Sequence, residues 1–549
     1  MILLALVSGV ALALAWPAIG DLTPFVFFAL IPLFIIEDHY YRGREVLSSR
    51  GMLKYLYLAF VIWNVLTTWW ISCVSESLTT KIFASSTAIL CNSMFMVIPW
   101  YLFHLTRKKV GSKEGYFGLV FYWISFEYLH MQWDLSWPWL TLGNIFANNV
   151  EWVQWYDHSG VFGGTLWVLC VNILAFKVIN TSWKIRKIPK AITAILLIVL
   201  LVPILTSKIK YSNYAEEKEP VEVVIVQPNI DPYNEKFDGL TPEEQLERML
   251  DLAEEKISPK TKFVLFPETA LQEMSNVYLD RNGELGIRGL WENDLEASRS
   301  VIRIREWLKQ YDHVKIITGM ASAYLYGEDA EFPPTARPLK PSGHHFESYN
   351  AAMQLGADGN ILVHHKSKLV VGVELMPFAG LLSGLDAIAI DLGGISGSLG
   401  RQDTRNNFDS PEWELSVTPA ICYESIYGEY IAEYVKNGSQ LLFIITNDGW
   451  WQDTPGYKQH LAYGRLRAIE HRRSIARCAN TGISCFIDQR GDVHQKTEWW
   501  VPATLSGELN ANDYFTFYTR HGDQIARASI FFAALLLLFT LVKHIRNRT

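Results

Sequence analysis

Three side chains able to do covalent chemistry stand at the ends of runs that read as buried β-strands. Glu268 follows KFVLF (262–266) and a proline, Lys366 follows NILVHH, and Cys422 follows LSVTPAI (415–421). Open α/β sheets place their reactive groups at such carboxyl ends. A carboxylate, an ammonium and a thiol so disposed suit nucleophilic catalysis, with Glu as base, Cys as attacking group and Lys as the cation that meets a developing oxyanion. A thiol with a pKa near ~8.5 is only slightly ionised at neutral pH, so it needs a base or cation beside it. Taken singly, each residue has an ordinary reading: a strand-end Cys is a small buried hydrophobe, and a loop Glu or Lys is a solvated charge.

The elements that must position these groups are legible as short β-rich runs alternating with helical segments. VEVVIVQ (221–227), VKIITG (314–319) and LLFIIT (441–446) join the two runs above as continuous buried strands. YNAAMQL, NILVHHK and the paired runs between Ala479 and Ile487 add further strands, of antiparallel type. Thr241, Pro242 and Glu244 announce a helix by a capping residue, a first-position proline and a capping-box glutamate. The pattern predicts an α/β domain with a mixed sheet over residues 211–520, large enough to bury its own core.

The remainder of the chain has a different composition. Of 549 residues, 50% are hydrophobic and 19% charged, but residues 1–210 hold only 16 Lys/Arg and 10 Asp/Glu, whereas residues 211–549 hold 33 and 46. A spanning helix needs ~20 apolar residues. Eight candidates are expected: seven in the N-terminal domain (1–210), at about 1–17, 23–37, 55–74, 83–105, 116–131, 159–179 and 191–207, and one at 525–542. The first of these reads as a span rather than a cleaved leader, because no basic residue precedes its apolar run. Lys and Arg cluster after the second, fourth and sixth candidates, for example Arg42, Arg107 and Lys184, and are absent from 18–22, 75–80 and 132–158. Positive residues stay on the cytoplasmic side, so both termini are expected there and the α/β domain outside. The tryptophans between Met131 and His158, Trp139 among them, read either as an aromatic belt at the headgroup level or as a lipid-substrate contact. The acidic balance of the external domain argues against a nucleic-acid partner.

The segments FPETA (266–270), HKSKLVVGVELMP (365–377), ICYES (421–425) and TNDGWW (446–451) resemble the Glu-Lys-Cys motifs of the nitrilase superfamily, whose fold is an αββα sandwich. With spans before and after that domain, the whole chain resembles the membrane-embedded family of that superfamily, the apolipoprotein N-acyltransferases. The resemblance implies Glu268 as general base, Cys422 as nucleophile and Lys366, rather than the surface charge Lys368, as the oxyanion-stabilising cation. It also implies Glu374, eight residues after Lys366, as the second glutamate, with Tyr423 and Glu424 directly after the nucleophile and Trp450 among the supporting aromatics. The chain departs from the family pattern at Leu-Val-Pro-Phe-Gly-Glu, where it has Leu369 to Glu374 with Val371, Gly372 and Val373 between, and at a tryptophan for which Phe237 stands in.

The implied reaction is acyl transfer from a phospholipid, through a Cys422 thioester and an oxyanion held by Lys366 and a backbone N–H such as that of Tyr423, to the amine of a diacylglyceryl-cysteine at an apolipoprotein N-terminus. The implied setting is a bacterial inner membrane with the catalytic domain in the periplasm. No cofactor is expected, and His364, His365 and His460 do not form a metal set. Residues 375–400 contain two Asp and no Lys or Arg, which reads either as a lid or membrane-dipping arm or as an ordinary packed loop. A site serving lipid substrates is expected to open toward the bilayer. Asn447, Asp448 and Trp450 read either as pocket-shaping or as turn residues. Cys478 and Cys485 read either as core thiols or as a disulfide. Two other functions fit parts of this pattern: a membrane-anchored hydrolase, in which water resolves the acyl-enzyme, and a non-catalytic transporter or lipid-binding scaffold. The few charges within the spans, Glu127 chief among them, weigh against transport.

Overall fold

The computed structural model describes residues 1–73, 78–236, 239–279, 285–339, 343–378 and 398–546. The chain forms two compact units, one of Met1–Tyr214, Thr454–Glu470 and Thr516–Thr549, the other of Ala215–Asp453 and His471–Phe515.

The first unit is helical. It contains α1 (Ile2–Ala15), a 3-10 turn (Thr23–Phe27) leading to α2 (Ile31–Arg42), α3 (Arg50–Thr68), α4 (Leu78–Lys109), α5 (Ser112–His130), α6 (Tyr156–Ile185), α7 (Lys190–Asn213) and a last helix, Gln524–Arg546. Among the described residues, six helical segments are long and apolar enough to cross a membrane; α1, with 14 residues, is shorter, and α5 is not one of the six. Ile195, Ile198, Leu201 and Leu205 of α7 are exposed, an apolar face that suits hydrocarbon rather than water. Inside this unit, Glu127 accepts hydrogen bonds from Trp123 Nε1 (2.8 Å), Leu142 N (2.8 Å) and Thr165 Oγ1 (2.7 Å). The carboxylate thus ties α5 to α6 and to the intervening loop, since a buried charge persists only where its lone pairs are met.

Trp139 corrects the aromatic-belt expectation. It is 1% exposed and its indole donates to Gln459 Oε1, as that of Trp70 does, while Tyr463 OH donates to the Trp139 carbonyl. Gln459 and Tyr463 lie on the helix Pro455–His471. These hydrogen bonds explain why Thr454–Glu470, though flanked by sequence of the other unit, clusters with the helical unit.

The second unit contains β1 (Pro220–Gln227), β2 (Thr261–Leu265), β3 (Asn276–Leu279), β4 (Leu285–Arg288), β5 (Lys315–Tyr326), β6 (Arg337–Leu339), β7 (His344–Leu355), β8 (Ile361–His365), β9 (Phe408–Ser410), β10 (Leu415–Ile421), β11 (Leu441–Thr446), β12 (Ser474–Ala479), β13 (Cys485–Ile487), β14 (Val493–His494) and β15 (Ala503–Asn510). Its described helices are α8 (Pro242–Glu254), α9 (Arg299–Leu308) and α10 (Gly428–Lys436). One sheet runs β15-β1-β2-β5-β7-β6 with β8 on β7, the other β14-β13-β12-β11-β10-β9; β3 and β4 make a separate hairpin. The sheets are mixed: β1, β2 and β5 are parallel, as are β10, β11 and β12, and antiparallel strands flank both sets.

Alternation along the strands builds the layers. Val223, Ile225, Phe263 and Leu265 of the first sheet pack with Val417, Ile421, Phe443 and Ile445 of the second. Val224, Val226 and Val264 turn the other way, onto Leu246 and Met249 of α8 and Ile304 and Trp307 of α9. Strands buried on both faces explain the unbroken apolar runs in the sequence, and each such side chain contributes about 1.5–3 kcal/mol. With α10 against β10, the order is helix, sheet, sheet, helix. Helix α8 starts as expected: Glu244 N donates to Thr241 Oγ1 (3.2 Å) and Thr241 N to Glu244 Oε2 (2.8 Å). Strand register decides between core thiols and a disulfide. Cys485 pairs with Arg477 across β12 and β13, so Cys478, one residue on, points to the opposite face. There its thiol donates to the Val226 carbonyl (3.2 Å).

Candidate active site

Each reactive side chain leaves the end of a strand. Beyond β2 the chain runs through Pro267 to Glu268 and turns at Thr269, whose φ of 46° lies in the left-handed region. This segment stays beside β5, where Gly319 N donates to the Pro267 carbonyl (3.1 Å) and Leu271 N to that of Gly319 (3.0 Å). A Cβ at residue 319 would come within 2.4 Å of Thr269 N and 2.7 Å of Glu268 Cα, so only glycine lets the turn that bears Glu268 seat. Lys366 follows β8, and its N–H donates to the carbonyl of Asn350 in β7 (2.8 Å). Cys422 follows β10 and has φ 48°, a left-handed conformation that costs a non-glycine residue free energy and breaks the strand sharply into the 3-10 turn Cys422–Ile426. Ser425 Oγ braces that turn on the Cys422 carbonyl (2.7 Å).

The structure brings Glu268, Lys366 and Glu374 into one hydrogen-bonded cluster. Lys366 Nζ donates to Glu268 Oε1 and to Glu374 Oε1, both at 2.9 Å. Asn350 Nδ2 donates to the same two oxygens, each at 2.8 Å. The remaining oxygens accept backbone N–H groups, Glu268 Oε2 from Asn447 (3.0 Å) and Glu374 Oε2 from Val370 (2.8 Å). The altered Val371-Gly372-Val373 stretch therefore preserves the placement of Glu374. Cys422 is 6% exposed and lies within electrostatic reach of both Glu268 and Lys366.

The charges follow from these contacts. Burial alone would raise the Glu268 carboxyl, but the Lys366 ammonium, the Asn350 amide and the charge of Lys236 outweigh it and hold the acid below the usual carboxylate range. Burial likewise opposes the Lys366 ammonium, and Glu268 and Glu374 overcome it, so Lys366 stays charged. The Cys422 thiol is pushed well above its ordinary value, first by burial and then by the Glu268 charge. The resting site therefore pairs a carboxylate and an ammonium with a neutral thiol. Such a thiol reacts by giving its proton to the base as it attacks, rather than from a standing thiolate.

Glu424 lies behind Cys422 and is fully buried. Its Oε2 accepts from Ile421 N (2.8 Å) and faces His364 Nε2 (3.2 Å); its Oε1 accepts from Ser367 N (2.7 Å) and Tyr430 OH. One carboxylate thus clamps the backbone next to Cys422 and next to Lys366. Tyr423 is buried, with its ring edge-on to Tyr427 at 5.3 Å. Trp450 packs edge-on against Tyr233 (5.3 Å), whose hydroxyl donates to the Trp450 carbonyl. Asp448 is fully buried and paired to Arg477 (2.8 Å). Lys368 lies over the Tyr427 ring (4.8 Å) rather than free on the surface. Phe237 and residues 379–397, most of the apolar 375–400 segment, lie outside the described residues.

Among the described residues, no group of three or more His, Cys, Asp and Glu is disposed to hold a metal ion. Sequence reasoning missed Asn350 and Lys236. A polar residue inside the buried run YNAAMQL was the available sign of the first; nothing local distinguished the second.

Comparisons with known proteins bear on both units. Residues 8–174 match the family model described as the apolipoprotein N-acyltransferase N-terminal domain. Residues 223–515, more than half of the chain, match the carbon-nitrogen hydrolase model. An apolipoprotein N-acyltransferase of Chlorobaculum tepidum is 30% identical over 556 residues, covering 98% of this chain and 96% of its own. One from Geobacter metallireducens is 25% identical, covering 97% and 94%. Among solved structures, a Saccharomyces cerevisiae member of branch 10 of the nitrilase superfamily aligns at 15% identity with a TM-score of 0.37, over 56% of this chain and 97% of its own. A helical unit and a carbon-nitrogen hydrolase unit, matched together along nearly the full length of such a relative, establish that the chain belongs to the apolipoprotein N-acyltransferase family.

Proposed function

We propose that this protein moves a fatty acyl chain from a phospholipid to the N-terminal amine of a diacylglyceryl-cysteinyl apolipoprotein, in two steps through a thioester on Cys422. The observation that carries this reading is the ion-paired Glu268–Lys366–Glu374 cluster beside a buried thiol, in a chain of this family. Cys422 Sγ attacks the ester carbonyl and its proton passes to Glu268. Lys366 and a backbone N–H of the Cys422 turn hold the tetrahedral oxyanion. Collapse breaks the C–O bond, and the lyso-phospholipid alkoxide leaves with the proton from Glu268. The acceptor amine then attacks the thioester, Glu268 takes its proton, and the thiolate leaves and is reprotonated, restoring the resting site. Glu374 fixes Lys366, and Glu424 fixes the backbone on both sides.

The same reading makes the chain a multi-pass inner-membrane protein with eight spans, both termini cytoplasmic and the catalytic unit periplasmic. The alternation of loops that carry Lys and Arg with loops that carry neither supports it, as does a catalytic sequence bracketed by apolar helices. Reporters fused after the last span and inserted near residue 342 should report cytoplasm and periplasm respectively; the reverse pattern would sink the topology.

The test of mechanism is to incubate purified protein with phospholipid alone and map acyl adducts by mass spectrometry. An acyl mass on the Cys422 peptide, released by hydroxylamine and discharged onto a diacylated cysteinyl peptide far faster than into water, is expected. Rapid loss to water would replace the transferase by a hydrolase. A folded, active protein carrying no adduct would overturn the assignment of Cys422.

A further inference from the structure

The hydrogen-bonded cluster is not electrically balanced by the residues of its motifs. Lys366 is the single ammonium bonded to both Glu268 and Glu374, so the three together carry one negative charge. Asp448 is paired to Arg477, and Glu424 faces His364, so neither offers a cation to spare. A net negative charge in a buried site makes any further anion costly, yet the chemistry at Cys422 must develop one on sulfur.

The balancing charge comes from a loop that no catalytic motif includes. Lys236 lies in a turn after β1, where its N–H donates to the Asp231 carbonyl (3.0 Å) and its carbonyl accepts from Gln245 Nε2 of α8 (2.9 Å). Its side chain is 5% exposed and Nζ donates to Thr269 Oγ1, on the residue directly after Glu268. Among the described residues, the acids of its own loop are engaged elsewhere: Asp231 accepts from Tyr233 N and Asn234, and Glu235 accepts from Asp231 N. The hydrogen bond to Thr269 sets the Lys236 ammonium beside the residue that follows Glu268, whose charge favours its ionised form. A buried ammonium costs free energy unless a neighbouring anion compensates, and the Glu268 charge acts in that direction.

We propose that Lys236 is a positioning residue that acts as the second counter-charge of the site, making the Glu268–Glu374–Lys366–Lys236 set neutral so that Glu268 stays ionised and Cys422 can surrender its proton. The inference rests on the assignment of Glu268 as base and Cys422 as nucleophile. Burial pushes the Lys236 ammonium down to about 8, with Glu268 opposing; the counter-charge is therefore present at neutral pH and lost as the solution becomes alkaline.

The test follows the rate of Cys422 alkylation by iodoacetamide against pH in the full-length detergent-solubilised protein, with peptide mapping to separate Cys422 from the other cysteines. Neither lipid substrate is needed. Removing a nearby cation raises the pKa of every acid that faces it. Lys236→Met should therefore move the acid limb of the profile upward by about one pH unit and slow alkylation about tenfold below that limb. Lys236→Arg, which keeps the charge, and Thr269→Ala, which keeps the charge but removes the hydrogen bond, should both leave the limb near its wild-type position. An unmoved limb in Lys236→Met, or the same displacement in Thr269→Ala, would overturn the proposal and reduce Lys236 to a packing residue. Glu268→Gln separates the two assignments. If it leaves the profile unchanged, Glu268 is not the base, and the role of Lys236 falls with it.

Discussion

Glu424 offers a substitution whose outcome can be worked from the contacts. All four acceptor positions of its carboxylate are engaged: Ile421 N and His364 on Oε2, Ser367 N and Tyr430 OH on Oε1. Glu424→Gln changes shape little but converts one oxygen into an NH2 group. In either amide orientation that group confronts a backbone N–H, of Ile421 or of Ser367. Tyr430 can rotate its hydroxyl to accept; a backbone N–H cannot. One charge-assisted hydrogen bond, worth about 1.5–3 kcal/mol, is replaced by two donors facing each other in a buried place, for a loss of about 3 kcal/mol. For a domain of this size that lowers the thermal midpoint by about 6–12 °C.

The orphaned N–H adjoins either Cys422 or Lys366, so acyl transfer should fall by about 100-fold, the cost of a small misplacement of a reacting group. The effect has a pH signature. Burial opposes ionisation of Glu424, but His364 and the donors around it outweigh that and hold it below the usual carboxylate range. Its contribution to stability is therefore present above the unfolded-state carboxylate pKa and lost as pH falls through the lower folded value. The gap in thermal midpoint between wild type and Glu424→Gln should close on acidification. Differential scanning fluorimetry across pH, with acyl-transfer rates on the same preparations, reads both quantities. A Glu424→Gln protein that melts with the wild type and transfers acyl chains at full rate would refute the clamp.

Two further outcomes follow from neighbouring contacts. Lys366→Met strands two buried carboxylates, a loss of about 3–5 kcal/mol, and should abolish acylation of Cys422. Lys368→Met gives up its place over the Tyr427 and Tyr430 rings, about 1 kcal/mol, and should leave acylation near wild type; the opposite order would exchange the two lysines. Because Cys478 and Cys485 point to opposite faces of their sheet, unfolding without reductant in the presence of an alkylating agent should label both, and a cross-linked peptide would contradict the register.

Much of the architecture was legible because its signals are local. Continuous apolar runs mark strands covered on both faces, as β1 and β11 are. A capping residue, a first-position proline and a glutamate three places on mark the start of α8. Apolar stretches separated by loops that alternate in basic charge marked eight places in the helical unit, and a helix stands at each. The candidate site was legible where a reactive residue sits inside a short motif: Glu268, Lys366, Glu374 and Cys422 could be named from their neighbours, and the first three share one set of hydrogen bonds.

What stayed hidden depends on contacts between residues far apart in the chain. Asn350 gains its importance because β7 lies beside β8, which places one amide between two carboxylates 82 and 24 residues away. Trp139 read as an interfacial aromatic, since a single tryptophan in a loop looks the same whether or not a Gln459 waits 320 residues later to accept its N–H. The raised thiol of Cys422 and the balancing charge of Lys236 are consequences of burial, which one-dimensional spacing does not measure. The order of residues by itself determined the elements and named the candidate reactive groups, because hydrophobic periodicity and motif chemistry act over a few residues. Only the tertiary structure decided which polar groups meet and which charges are desolvated, because Coulomb and hydrogen-bond energies depend on distances in space and not on separation along the chain.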